Sequence, residues 1–147
     1  MNNYNINKNT IAIIPIDNNI TKIIEEDNTI IVNDSPMNII KRSCKYYGST
    51  YSGRHDGTKY LIGIYYKLPI IVEETNNIIC FPTSSTRDKK CIWLFFNHIN
   101  DYIKYDNNIL ITFKNMYKLK IDISFYSFDN QYYKAIKLFN KLLSRKI

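Results

Sequence analysis

Glycine is scarce in this chain: 147 residues hold four, and proline is no commoner at four. That excludes a collagen-like or Gly/Pro-rich low-complexity chain. There are two histidines, one tryptophan and three cysteines. An odd, small cysteine count without CxxC spacing is no disulfide framework. Cys44, Cys80 and Cys91 are therefore expected as free thiols in the core, in a reducing compartment. Trp93, in "CIWLFF", is expected in the core as well. No unbroken apolar run approaches the ~18–20 residues of a membrane-spanning helix. The opening "MNNYNINKNT" is polar and lacks the apolar stretch of a signal peptide, so a cytoplasmic protein with no membrane partner is expected.

Motifs of catalysis are missing too. There is no GxGxxG, no P-loop and no HExxH, and His55 and His98 have no carboxylate partner by spacing. Cys91 and His98 with a distant cysteine lack the paired spacings of a zinc site. Glu73 and Glu74 fall at an expected hairpin turn, where solvation explains them better than acid–base work. No enzymatic activity, no cofactor and no metal site are expected.

Positive charge is plentiful. The net charge is +7, and it is uneven. Residues 1–40 hold two lysines and five carboxylates; residues 41–147 hold eighteen basic and eight acidic residues. A basic excess suits nucleic acid or an anionic membrane, and it also serves plain solubility. Thirteen tyrosines accompany abundant isoleucine, asparagine and lysine, a bias that AT-rich codons also produce. A hydrophobic fraction of 45% fits a globular chain, and the length fits one domain over residues 1–147.

Along the chain, asparagine-rich residues 1–9 read as a loose end. "TIAIIPI", "ITKIIEE" and "NTIIV" read as strands, with Pro15 favouring an edge or a bend. In "SPMNIIKRSCKYYG", Ser35 is an N-cap, Pro36 takes the first helical position and Gly48 follows the end. Met37, Ile40, Cys44 and Tyr47 make its apolar side, and Lys41, Arg42 and Lys45 its basic side. "KYLIGIYYK" reads as a strand and "PIIVEETNNIICF" as a hairpin. "CIWLFF", "DYIKY", "ILITF" and "YKLKIDI" follow at meander spacing. The last segment reads as an amphipathic helix capped by Ser127, with Asp129 in its first turn. Its apolar stripe is Phe128, Tyr132, Ala135, Ile136, Phe139 and Leu143; its basic stripe is Lys134, Lys137, Lys141 and Arg145. The expected class is α+β: mostly antiparallel sheet or a partial barrel, about nine strands, one short internal helix and a C-terminal amphipathic helix.

Two segments concentrate small and basic residues. "YYGSTYSGRHDGTKY", residues 46–60, holds three of the four glycines together with Ser49, Thr50, Arg54, His55 and Lys59. Read as a loop over 48–59, it is entropically expensive to order, so a partner orders it or it is an ordinary solvated loop. "PTSSTRDKK" offers hydroxyls from Ser84, Ser85 and Thr86 and charge from Arg87, Lys89 and Lys90. Such groups suit phosphate contacts, and equally a polar hairpin tip.

The run "IIEEDNTIIVNDSPMNIIKRSCKYYGSTYSGRHDGT" resembles the ComK family, the competence transcription factors of Gram-positive bacteria. The family pattern there is RSC, two aromatics, then G-S-S/T-Y-x-G-R-x-x-G-T. This chain has Arg42-Ser43-Cys44, Tyr46-Tyr47, Gly48-Ser49-Thr50-Tyr51, Gly53-Arg54 and Gly57-Thr58. "CFPTSSTR" resembles the family's FPT…SSTR, one residue shorter between threonine and serines, and "SFYSFDNQYYKA" resembles its SYNSFENQ. The likeness runs from about residue 10 to 140. It implies a DNA-binding activator of DNA-uptake genes that recognises AT-rich promoter boxes, largely through the minor groove. It also implies a nucleoid-associated dimer or higher assembly and control by a proteolytic adaptor. Phosphate anchoring is expected from Lys41, Arg42, Lys45 and Arg87, and groove entry from Arg54. The chain stops at "LLSRKI", soon after its last helix, whereas longer members carry a C-terminal tail. Two alternatives stand beside the activator: an RNA or single-strand binder that stacks bases on tyrosines exposed on a sheet, and, from the short C-terminus, a paralogue that acts by protein–protein interaction.

Overall fold

The computed structural model describes residues 3–146. Its elements are β1 (Thr10–Asp17), β2 (Ile20–Glu25), β3 (Thr29–Val32), α1 (Pro36–Tyr46), α2 (Tyr51–Ile62), β4 (Ile70–Glu73), β5 (Ile78–Pro82), β6 (Trp93–Phe95), β7 (Ile99–Tyr105), β8 (Asn108–Phe113), β9 (Lys118–Ile121) and α3 (Phe125–Arg145). Among the described residues nine strands and three helices form an α+β fold.

Six strands form an antiparallel sheet in the order β3-β2-β1-β6-β5-β4, and β7-β8-β9 form a separate meander. The larger sheet ends at β3 and β4 and is not closed into a barrel. Its strands alternate between two cores, as a strand buried on both faces must. Trp93 and Phe95 join Ile13, Ile23 and Cys80 beneath Ile39, Ile40 and Cys44 of α1. Leu94 and Phe81 point the other way, onto Ile109, Ile111 and Phe113 of the small sheet and Phe128 and Ala135 of α3. A third cluster gathers Ile62, Leu68, Ile71, Ile79, Leu138 and Leu142 where the ends of α2 and α3 meet β4 and β5. Pro15 lies where β1 runs beyond β6, beside a register shift against β2, so its missing N–H interrupts no β1–β6 pairing.

Several expectations are corrected. Of residues 1–9, the first two lie outside the described residues; the rest are not loose. Tyr4 and Ile6 are buried. The Tyr4 hydroxyl bonds Thr10 Oγ1 at 2.6 Å, Ile6 N donates to Ser43 Oγ at 3.0 Å, and Tyr47 Oη donates to Ile6 O at 2.7 Å. Two alternating apolar residues thus anchor an asparagine-rich segment. Residues 51–62 are helical, not a loop, and "KYLIGIYYK" supplies the end of that helix and the turn after it, not a strand. The N-cap of α3 is Ser124, whose Oγ accepts from Ser127 N; Ser127 lies inside the first turn and Asp129 beyond it. The α3 stripe drifts toward its end, so Leu138 and Leu142 are buried while Leu143 is 46% exposed. Lys134 is buried rather than part of a solvated basic stripe. The cap at Ser35, Pro36 at the helix start and the β4–β5 hairpin stand as read.

Candidate nucleic-acid interface

The scarce glycines serve the connection between two helices. α1 ends at Tyr46, and Gly48 adopts φ +87°, a conformation that favours glycine. Gly48 N then bonds Lys45 O at 3.0 Å and Ser49 N bonds Cys44 O at 2.9 Å. Thr50 starts the next helix: its Oγ1 accepts from Gly53 N at 2.9 Å. α2 runs until Gly63, which closes it in the left-handed conformation with N–H to Lys59 O. The result is two helices joined by a short turn, packed on each other and on the large sheet.

Each residue singled out in the sequence has a place here. Lys41 and Lys45 are exposed on α1. Arg42 is engaged: Nη1 donates to Asp34 Oδ2 at 2.6 Å, while Nε and Nη2 are buried without a hydrogen-bond partner. Burial raises the Asp34 carboxyl, but hydrogen bonds from Arg42, Asn38 and Ser35 N outweigh it and hold the group below its usual value. Asp34 thus ties the start of α1 to its middle. Arg54 is half-buried with its Nε enclosed and unpartnered, and its charge opposes the burial that pushes the Cys44 thiol up to about 11. It therefore lies near the α1–α2 contact. His55 stacks on Tyr51 with ring centroids 5.8 Å apart. Burial, then nearby Lys59, lowers its pKa against the opposing Asp56. Lys59 sits 3.9 Å from Asp56.

The second segment is the β5–β6 loop. Asp88 organises it, accepting from Ser84 Oγ at 3.2 Å and from Lys90 N at 2.9 Å. Ser85 Oγ accepts from Arg87 N at 3.3 Å. Thr86, Arg87 and Lys89 remain exposed and wall a groove of about 240 Å³ with Ser35, Pro36 and Met37 opposite and Trp93 in the lining. The loop therefore meets the start of α1, while α2 follows from its end. α1 is the element common to both segments. Two carboxylates, Asp17 and Asp88, line the same groove and dilute its positive charge.

All three cysteines are buried free thiols, and burial raises the pKa of each. Among the described residues no group of three or more His, Cys, Asp or Glu is placed to hold a metal. His98 is structural: its Nε2 lies 2.7 Å from Lys8 O and its Nδ1 3.6 Å from Glu26. Among the described residues no helix is long and apolar enough to cross a membrane.

Sequence reading missed Tyr60, Tyr65, Tyr66 and Lys67, exposed at and after the end of α2. The signal was present. Thr50 as N-cap and Gly63 as stop bracket a helix, but glycines at 53 and 57 obscure it.

Comparison with known proteins adds identity to this geometry. A family model described as "ComK protein" matches residues 1–146. The competence transcription factor of Bacillus subtilis (strain 168) is 37% identical over 150 residues, covering 99% of this chain and 78% of that protein. No solved structure matches. A family match over almost the whole chain, with that identity, places the protein in the ComK family.

Proposed function

We propose that this regulator of competence transcription binds duplex DNA with α1, α2 and the β5–β6 loop, and that it prefers AT-rich promoter boxes. The observation that carries the reading is the position of α1. It leads into α2 through the Gly48 turn, meets the 84–90 loop at its start, and exposes Lys41 and Lys45 along its length. Lys41, Lys45, Arg87, Lys89 and Lys90 anchor phosphates. Ser49, Thr50, Ser85 and Thr86 supply short hydroxyl donors beside them, while the Ser84 hydroxyl is spent on Asp88. Arg42 holds Asp34 and so fixes the helix that carries the lysines.

Helix α2 suits a close approach. Gly53 and Gly57 lie one turn apart; a Cβ on Gly57 would meet nothing within 4 Å, and one on Gly53 only the hydroxyls of Thr50 and Ser49. Packing within the chain does not demand glycine at position 57, so a bare helix surface there serves something outside. Arg54 enters an A·T minor groove, whose narrow walls concentrate negative potential, with His55 and Lys59 along the same helix. The protein acts as a dimer or higher assembly on its boxes, and an adaptor controls its abundance.

Fluorescence anisotropy tests this with a duplex carrying two spaced A·T tracts against a GC-rich control over a salt series. A preference for the A·T duplex that survives moderate salt is expected. Equal, steeply salt-dependent binding to both would reduce the surface to a generic polyanion site. Arg54→Ala is expected to weaken the A·T duplex more than the control. A second reading follows from α2 being a helix, since a major groove admits a helix and a minor groove does not. A minor-groove-binding polyamide displaces the protein under the first reading and leaves it bound under the second.

A further inference from the structure

Beyond α2 lies a loop whose construction nothing so far explains. Residues 63–69 join α2 to β4 and expose Tyr65 and Tyr66, 71% and 65% open to solvent. A surface loop with two bare aromatic rings is ordinarily mobile, yet this one is held by three side chains from two helices. Lys134 of α3 is 2% exposed, and its Nζ donates to Tyr66 O at 2.9 Å and Lys67 O at 3.5 Å. The same ammonium lies 4.3 Å from the centre of the Tyr66 ring. Buried Gln131 donates to Lys67 O at 2.9 Å and to Pro82 O at 2.8 Å. Thr58 Oγ1 reaches Pro69 O at 3.0 Å. Lys67 itself takes φ +48°, strained for a side-chain-bearing residue.

Among the described residues Lys134 has no carboxylate partner; two carbonyls and a ring satisfy it. Burying an ammonium this way is expensive, and an apolar residue would fill the space at lower cost. What the arrangement secures is the position of the 65–67 backbone and of one tyrosine ring. Rings fixed before contact lose little entropy on binding. Cations flank them: Lys67 is exposed beside them and Lys59 lies one turn from the end of α2, where Tyr60 is 89% exposed.

We infer that the 63–69 loop is a preorganised aromatic contact for duplex DNA, in which Tyr65 and Tyr66 pack on sugars and base edges at the border of the groove that α2 approaches. The inference rests on the DNA-binding reading above and names residues it did not use. Aromatic contact differs from phosphate contact in one measurable way: it releases no counterions, so it does not alter the salt slope.

The test is anisotropy on the A·T duplex with wild type, Tyr65→Ala, Tyr66→Ala and the two Tyr→Phe variants, each at several salt concentrations and each with its melting temperature. Expected are a loss of about tenfold per alanine, near-full retention by phenylalanine, an unchanged slope and unchanged melting. Lys134→Met acts as a positioning change. It should weaken binding more in the wild type than in the Tyr66→Ala background, where the ring contact is already gone, a coupling that loss of helix stability alone would not produce. If wild type binds and both alanine variants bind equally well, the aromatic contact is wrong and the DNA reading stands. A loss confined to single-stranded or RNA probes overturns the duplex as occupant. If wild type does not bind the duplex at all, both readings fall.

Discussion

Two segments set small hydroxyls beside basic residues, and they are built in opposite ways. α2 is capped at Thr50, closed at Gly63, and rooted in the interior by Thr58 and Ile62. The 84–90 loop has no buried residue between Thr83 and Cys91; it is shaped by Asp88 and by hydroxyl bonds at its own surface. One presents its groups from a helix rooted in the core, the other from an exposed tip tied only by its own bonds. Fixed groups suit discrimination between sites, and adaptable cations suit anchoring on any phosphate chain. α1 joins the two, so an error in its placement reaches both.

The largest way to break this contrast is at the root of α2. Ile62 sits in the cluster with Leu68, Ile79 and Leu138. Ile62→Ala should cost about 2–4 kcal/mol in denaturant unfolding with m unchanged. No alanine substitution among residues 84–87 should cost more than about 0.5 kcal/mol. A comparable loss from the loop would mean that it, too, is a scaffold.

The next is a pH effect at the end of α2. Burial, with Lys67 adding to it, lowers the pKa of Lys134 to about 8. Below that value folded and unfolded chains both hold the proton, and the cost of burying the charge is fully present. Between about 8 and the ordinary lysine value the folded chain has released a proton that the unfolded chain still binds, so stability rises with pH in that window. The expected gain is about 1–3 kcal/mol. It should be absent from Lys134→Met measured beside wild type, where titration of the tyrosines and thiols cancels. A Lys134→Met curve parallel to wild type would remove the buried-ammonium account.

These two regions also show what could be read without a structure. Isoleucine-rich apolar runs bounded by turn residues marked the strands of the large sheet, and the Ser35–Pro36 start marked α1. Those signals are local. α2 was hidden because Gly53 and Gly57 weaken helix propensity and its apolar residues are few: Thr58 and Ile62 alone are buried. The helix is held by tertiary contact with α1, β4 and α3, which no short window contains. Lys134 misled for a related reason. Helical spacing placed it among lysines, but its neighbours are carbonyls 67 and 68 residues earlier in the chain. The candidate site was legible as a set of residues and illegible as an arrangement, since Arg42 and Arg54 both turn partly inward.

A smaller effect sharpens the comparison by separating stability from binding within α2. Gly57 is helical, and a Cβ there meets nothing within 4 Å. Gly57→Ala should therefore stabilise the fold by up to about 1 kcal/mol. If the bare surface serves DNA approach, the same substitution weakens A·T duplex binding several-fold. Thermal melting and anisotropy on one preparation give both numbers. A gain in stability with unchanged affinity would assign the glycine to no contact.

The smallest expected effect on the fold belongs to Arg87, and it is the most informative about the loop. Arg87 is exposed, and its one hydrogen bond in the loop uses the backbone N–H rather than the guanidinium. Arg87→Ala should leave melting within about 0.5 kcal/mol of wild type. If the guanidinium neutralises one phosphate, the slope of log affinity against log salt falls by about one, and A·T and GC-rich duplexes weaken alike. Arg54→Ala, on the fixed helix, should instead narrow the gap between the two duplexes. Arg87→Ala narrowing that gap would give the loop a share in reading the site. The division between a discriminating helix and an anchoring tip would then fail, because a side chain that distinguishes sequences must be held in register by something more than its own surface turn.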